Sequence, residues 1–117
     1  MTDDHVLTKS TLRAGSQLGL TDAEIANVLG IDLHEISAVN AGLHYLCGAT
    51  RAGQRAIALV KVYKALMVNV GLDESIGKLW ISSHNTALAG VPASLMQTDE
   101  GMNAVLSYLQ QMGTTER

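Results

Sequence analysis

A predominantly apolar stretch over residues 56–70 constrains the fold of this chain more than any other segment. Only Lys61, Lys64 and Asn69 interrupt it, and at about 15 residues it is shorter than the roughly 20 that a membrane-spanning helix needs. Its apolar residues cover most of the circumference of a helix, which is typical of a helix buried inside a protein. We therefore predict a long central helix over residues 52–70 that ends at Gly71.

The composition favours an all-α fold. Hydrophobic residues make up 47% of the 117 residues, which argues against general disorder. Aromatic residues make up only 3%, and Phe is absent. The apolar mass is therefore Leu, Ala, Val, Ile and Met, which suits close-packed helices better than a sheet. A chain of this length is expected to form one domain, or two small halves that share a core.

Charge and cysteine content narrow the class of protein further. The formal net charge is −3, which argues against nucleic-acid binding by the whole surface, because such binding depends on neutralising phosphates. Cys47 is the only cysteine and cannot form an internal disulfide, as is usual in a reducing compartment. The first residues are acidic rather than basic, so we expect a cytoplasmic protein without a signal peptide.

The N-terminal half carries the start and stop signals of short helices. We expect a first helix over residues 8–18. Thr21 and Glu24 then have the spacing of a capping box, in which each side chain bonds to the other residue's backbone amide. Gly30 stands where a left-handed residue ends a helix. The residues between these signals that recur at helical spacing are Ile25, Val28 and Leu29.

Asp32 is expected to cap a third helix over residues 33–41. Glu35 stands in the position that completes a second capping box, and Gly42 ends the helix. Two short helices joined by a tight, glycine-containing turn match the plan of a helix-turn-helix, although any small helical bundle carries the same signals. The side chains of the third helix that can reach base edges are His34, Ser37 and Asn40.

The C-terminal half carries further helix signals on either side of a polar connector. Asp73 is expected to cap a helix. The apolar stripe of that helix consists of Ile76, Leu79 and Trp80. The connector over residues 82–90 is rich in turn-forming residues. Pro92 opens a short helical turn, and Thr98 caps the last helix. The buried face of the last helix is predicted to hold Met102, Val105, Leu106, Leu109 and Met112.

The order of these features resembles the second domain of the Xre/MbcA/ParS-like antitoxins, the partners of RES-domain toxins. In that family a helix ending in Trp-Leu is followed by an Asn-centred loop, Leu-Gly-Gly, Pro with a leucine pair, and Thr-x-Glu-Gly before a terminal helix. The corresponding residues here are Trp80-Ile81, Asn85, Leu88-Ala89-Gly90, Pro92 with Leu95-Met96, and Thr98-Asp99-Glu100-Gly101. The resemblance covers residues 52–113 well and the helix-turn-helix half more loosely.

This sequence departs from the family pattern at three places. Gly90 and Pro92 are one residue closer together than is usual, and Ala89 replaces a Gly. The third helix contains no Lys or Arg, where family members often carry basic residues. Glu35 also lies near the start of this helix, where a carboxylate repels phosphates. Direct DNA binding is therefore the weakest of the properties that the resemblance implies.

The resemblance implies an all-α protein with a helix-turn-helix (Xre-like) domain over residues 1–50 and a toxin-binding domain over residues 51–117. It implies an antitoxin of a type II toxin–antitoxin system that neutralises a RES-domain, NAD-consuming toxin by covering its pocket. It also implies a homodimer that regulates its own operon by binding operator DNA. The expected toxin contacts are Trp80, Asn85, Leu88, Gly90 and Arg117. The expected DNA contacts are His34, Ser37, Asn40, Arg51 and Arg55.

Two other functions stay open at this point. One is a stand-alone helix-turn-helix transcriptional regulator whose C-terminal half is a dimerisation domain, and the other is an adaptor without a toxin. Individual residues also carry two interpretations. Trp80 is either a core anchor or a partner-facing contact. The basic residues between positions 51 and 64 form either a solvated helix edge or a phosphate-facing stripe.

The sequence contains no recognisable motif of a catalytic or metal-binding site. No pair of histidines has the H-x-x-x-H spacing that places two metal ligands on one face of a helix, and Cys47 has no Cys-x-x-Cys partner. A glycine-rich phosphate-binding motif is also missing. We therefore expect a protein that is not an enzyme and needs no cofactor. The four histidines are His5, His34, His44 and His84.

Overall fold

The computed structural model describes residues 4–114 of the chain, and their side chains up to residue 111. This part of the chain forms seven α-helices and no β-strand. They are α1 (Asp4–Gln17), α2 (Asp22–Leu29), α3 (Leu33–Asn40), α4 (Arg51–Asn69), α5 (Glu74–Ser82), α6 (Pro92–Leu95) and α7 (Asp99–Thr114). The predicted all-α fold is confirmed. None of these helices combines the length and the apolar character that crossing a bilayer requires.

Helix α4 lies at the centre of the fold and packs against α1, α2 and α7. The predicted central helix is confirmed, and the two lysines within it, Lys61 and Lys64, are exposed. Because helices from both halves of the chain pack against α4, their buried residues form one continuous hydrophobic core. The buried face of α4 consists of Gly53, Ala56, Leu59, Val62, Leu66 and Met67.

Helix α1 begins at Asp4, four residues before the predicted start, and two buried threonines bond to the carbonyls of its first two turns. The hydroxyl of Thr8 donates to the carbonyl of Asp4 and that of Thr11 to the carbonyl of Leu7, both at 2.7 Å. Such bonds to the preceding turn satisfy a buried hydroxyl inside a helix. The Thr8 oxygen also accepts from the backbone amide of Leu46 at 2.8 Å, which fixes the segment after α3 against α1.

The two short helices form with the caps that the sequence predicts. At α2 the Thr21 amide donates to Glu24 Oε1 at 2.9 Å and the Glu24 amide donates to Thr21 Oγ1 at 3.1 Å, which completes the capping box. Gly30 ends α2 in the left-handed region, with φ of 77°. At α3 the Glu35 amide donates to Asp32 Oδ1 at 2.8 Å. The Glu35 carboxylate does not complete a second box but lies 3.4 Å from His44 Nε2.

The side chain of Arg55, on α4, joins three parts of the fold. Its Nη1 donates to the carbonyl of Val28 in α2 at 2.9 Å and to that of Gln97, before α7, at 3.3 Å. Its Nε donates to Asp99 Oδ1 at 2.8 Å, and Nη2 lies 2.7 Å from the same oxygen. Only 11% of the Arg55 side chain is exposed. This guanidinium therefore holds α2, from the N-terminal half, to the start of α7.

The last helix is capped as predicted, and it approaches α6 closely. The Gly101 amide donates to Thr98 Oγ1 at 3.0 Å. A Cβ on Gly101 would overlap the carbonyl of Leu95, so the glycine of the Thr-x-Glu-Gly sequence is needed for this close approach. Along α7, Met102, Val105 and Leu109 are buried and Leu106 is half-buried. The predicted burial of Met112 falls outside the described side chains.

The connector between α5 and α6 is closed by backbone hydrogen bonds. The Asn85 amide donates to the Gly90 carbonyl at 2.8 Å, and the Gly90 amide donates back to the Asn85 carbonyl at 3.2 Å. Inside this closed loop, the Leu88 amide donates to Asn85 Oδ1 at 3.1 Å. Ala89 has φ of +59°, in the left-handed region. This is the position at which the resembled family carries glycine, and a Cβ there costs about 1–2 kcal/mol.

We predict that Ala89→Gly stabilises the protein by about 0.5–1 kcal/mol, because relief of the left-handed strain exceeds the extra backbone entropy that glycine brings to the unfolded chain. Urea unfolding measures the difference. Ala87→Gly is the matched control: Ala87 is exposed in the same loop and has no positive φ, so this variant is expected to be neutral or less stable. Equal losses of stability in both variants would contradict the strain at Ala89.

Candidate protein-binding surface

Helix α5 turns one face to the core and leaves an apolar stripe in solvent. Its inward residues are Gly77 and Ile81, both buried. A Cβ on Gly77 would lie 2.5 Å from the Cε of Met67, so any larger residue would force Met67 to move. The predicted stripe faces outward: 49% of Ile76 and 65% of Leu79 are exposed. Exposure of large apolar residues next to each other is typical of a binding surface.

The outward face of α5 borders an open cavity of about 280 Å³. The apolar lining is formed by Ile76, Leu79 and Trp80 on α5. A polar rim follows, where the helix passes into the connector, and consists of Ser83, His84 and Asn85. We call this feature the α5 groove. It combines an uncharged apolar floor with hydrogen-bonding groups at one end, as protein-binding surfaces often do.

Trp80 belongs both to the core and to the α5 groove. The indole is half-buried, packs against the hydrophobic core and stacks on the ring of Tyr108 from α7, with ring centroids 6.3 Å apart and an angle of 17° between the ring planes. It also lines the groove. Trp80 therefore packs on the core and also lines the groove, and its role as a partner-facing contact stays a prediction.

The expected toxin contacts do not all lie in this groove. Trp80 and Asn85 line it, whereas Leu88 and Gly90 lie in the closed loop beyond it. Leu88 is half-buried and packs against the core. Gly90 is half-buried, and a Cβ there would lie 3.2 Å from Leu95 Cδ2. Arg117 lies outside the described residues. The toxin-contact role of these five residues stays a prediction.

The expected DNA contacts fall into two separate groups. His34, Ser37 and Asn40 are exposed on α3. Arg51 and Arg55 point instead towards α7, where both pair with the carboxylate of Asp99. Their guanidinium groups are therefore engaged within the protein, and that of Arg55 is also largely buried. A DNA-binding role for these five residues stays a prediction.

A second cavity, of about 270 Å³, lies between α4 and α7 beside this ion-pair cluster. Its charged lining consists of Arg51, Arg55 and Asp99. The hydrogen bond from Arg55 is the main reason that the pKa of Asp99 lies below its ordinary value of 3.8, and the charges of both arginines act in the same direction. The carboxylate therefore stays ionised and neutralises much of the positive charge at this cavity.

Sequence reasoning identified the apolar stripe of α5 but not which of its residues would be left in solvent. Ile76 and Leu79 were read only as members of the stripe, and Tyr108 was not singled out at all. The exposure of Ile76 and Leu79 could have been inferred from Gly77 and Ile81. These two residues are four positions apart and share the opposite, core-facing side of the helix. A glycine on a helix face is a sign of close packing.

The residues that the structure describes bring together no group suited to metal binding. Within residues 4–114 there is no cluster of three or more His, Cys, Asp and Glu side chains. Cys47 is exposed and unpaired. What the described residues do provide is a fixed helical surface with an apolar groove.

A family model described as the antitoxin Xre/MbcA/ParS C-terminal toxin-binding domain matches residues 65–113. The match covers the end of α4, all of α5 and α6, and nearly all of α7, and it includes every residue of the α5 groove. No curated protein matches the chain. A toxin-binding domain implies a toxin as partner. The resemblance read from the sequence is thus confirmed over residues 65–113, which are similar to the C-terminal toxin-binding domain of the Xre/MbcA/ParS antitoxins.

Proposed function

We propose that this chain is the antitoxin of a type II toxin–antitoxin system, acting in the cytoplasm, and that its toxin is a RES-domain protein that consumes NAD⁺. The family match supports the antitoxin role. The RES class rests on the ordered motifs from Trp80-Ile81 to Gly101, which resemble the antitoxins of such toxins. The observation that carries the proposal is the uncharged, exposed α5 groove inside the matched domain.

Neutralisation in this proposal is steric. The toxin-binding half covers the entrance to the toxin's nucleotide pocket, with contacts from Trp80, Asn85, Leu88 and Gly90. The tail around Arg117 reaches into the cleft, where a guanidinium suits a site that binds an anionic dinucleotide. The antitoxin performs no chemistry in this account, because occlusion alone stops the toxin.

We predict that co-expression of this chain rescues cells from the toxicity of the protein encoded by the neighbouring reading frame, and that the two proteins co-purify. Addition of the purified chain to that protein should reduce its NAD⁺ consumption in proportion to the complex formed. An unrelated helix-turn-helix protein of similar size serves as the control and should give neither effect. Absence of both co-purification and rescue would contradict the antitoxin proposal.

We further propose that the antitoxin is a homodimer that represses its own operon through α3. The proposal is supported by the exposure of His34, Ser37 and Asn40 on α3, the second of two short helices joined by a tight turn. The alternative, a stand-alone regulator whose C-terminal half is a dimerisation domain, also predicts operator binding but has no toxin partner. The two functions are therefore separated by the rescue experiment rather than by DNA binding.

We predict that Asn40→Ala weakens binding to the chain's own promoter relative to random DNA by about 5- to 150-fold, because one bidentate contact to adenine is worth about 1–3 kcal/mol. Competition binding at low and moderate salt measures this change in preference for the promoter. Asn103→Ala, an exposed asparagine on α7, is the control and should retain full preference. If the wild-type chain binds neither its promoter nor random DNA at low salt, operator binding is contradicted.

A further inference from the structure

We propose that the α5 groove receives a single apolar side chain of the toxin, which inserts between Ile76, Leu79 and Trp80, while Asn85 donates a hydrogen bond to the toxin backbone next to it. This inference rests on the proposed antitoxin function and adds to it the place and the chemistry of the principal contact. The occupant is therefore a protruding Leu, Met or Phe of a folded partner.

The volume and charge of the groove select this kind of occupant. The open groove of about 280 Å³ has room for one large side chain. None of the lining residues is a carboxylate, lysine or arginine. A phosphate or nucleotide would find no lysine or arginine there to compensate for its loss of hydration. An apolar side chain has no such desolvation cost.

The groove is also built before binding. Gly77 and Ile81 hold α5 to the core from behind, and Tyr108 fixes the plane of the Trp80 ring from the side. Preorganised aromatic pockets that accept a partner's side chain are the usual location of binding hot spots, because little ordering entropy is lost on association.

Asn85 supplies the polar contact. Its side-chain oxygen already accepts from the Leu88 amide, which fixes the side chain within the closed loop. Its amide nitrogen has no hydrogen-bond partner among the described residues and lies at the rim of the groove. A half-buried donor in this position gains a partner when a backbone carbonyl of the toxin approaches beside the inserted side chain.

The location within the family-matched segment assigns the groove to the toxin rather than to a second copy of the chain. Ile76 and Leu79 lie in the toxin-binding domain. A second copy of the chain could instead contact the exposed apolar residues that lie outside that domain. These are Val6, Leu33, Leu43 and Tyr45.

The test compares Leu79→Asp with Val68→Asp. Both wild-type residues are exposed and lie in the matched domain, with 65% of Leu79 and 73% of Val68 in solvent, but only Leu79 lines the groove. The full-length variants are titrated against the purified product of the neighbouring reading frame. We expect Leu79→Asp to raise the Kd at least about 30-fold, as loss of a hot spot does. Val68→Asp should stay within about threefold, and Leu79→Met, which retains an apolar side chain, should restore most of the affinity.

Unchanged toxin affinity in Leu79→Asp would overturn the inference, and so would equal losses in Leu79→Asp and Val68→Asp. A changed oligomeric state with unchanged toxin affinity would also overturn it and would assign the groove to self-association. Failure of the wild-type chain to bind the toxin at all would instead contradict the proposed function. As a second measurement, a photo-crosslinking amino acid at position 79 should link to the toxin, whereas one at position 68 should not.

Discussion

The buried guanidinium of Arg55 holds the two halves of this protein in one arrangement. From the central helix α4 it donates to carbonyls at the end of α2 and just before α7, and it pairs with Asp99 at the first turn of α7. Removal of a largely buried arginine leaves these acceptors without partners and costs about 2–3 kcal/mol. Arg51 pairs with the same carboxylate but is 79% exposed, so its contribution is at most about 1 kcal/mol. Both halves of the chain pack on α4, and the Arg55 guanidinium adds hydrogen bonds and an ion pair that join α2 to the start of α7.

The features that were predictable from sequence are those with short-range causes. The capping box of Thr21 and Glu24, the left-handed Gly30, and the caps at Asp73 and Thr98 each involve residues within a few positions of one another. The pairing of Arg55 with Asp99 joins residues 44 positions apart, and neither residue carries a local sign of its partner. The start of α1 was predicted four residues too late, and the hydrogen bond from Thr8 to the Asp4 carbonyl, which lies in the added turn, is visible only in the structure.

The same contrast applies to the candidate site. The stripe of Ile76, Leu79 and Trp80 was visible at helical spacing, but a stripe does not say whether it faces core or solvent. The structure resolves this through Gly77 and Ile81, which take the inward side and leave Ile76 and Leu79 outside. In the connector, the departure from the family at Ala89 became meaningful only once its positive φ was known. The closed loop therefore forms with a left-handed alanine, and the α5 groove lies beside it.

The central claim is that this protein acts by presenting a preformed helical surface of its C-terminal half to a toxin. Hydrogen–deuterium exchange of the free chain and of its complex with the neighbouring gene product tests it most directly. The account predicts that α5 already exchanges slowly in the free protein, as a folded helix does, and that the complex adds protection over α5 and the connector over residues 83–91. Protection confined to α2 and α3, or no change over α5 and the connector in a complex that has demonstrably formed, would contradict the account.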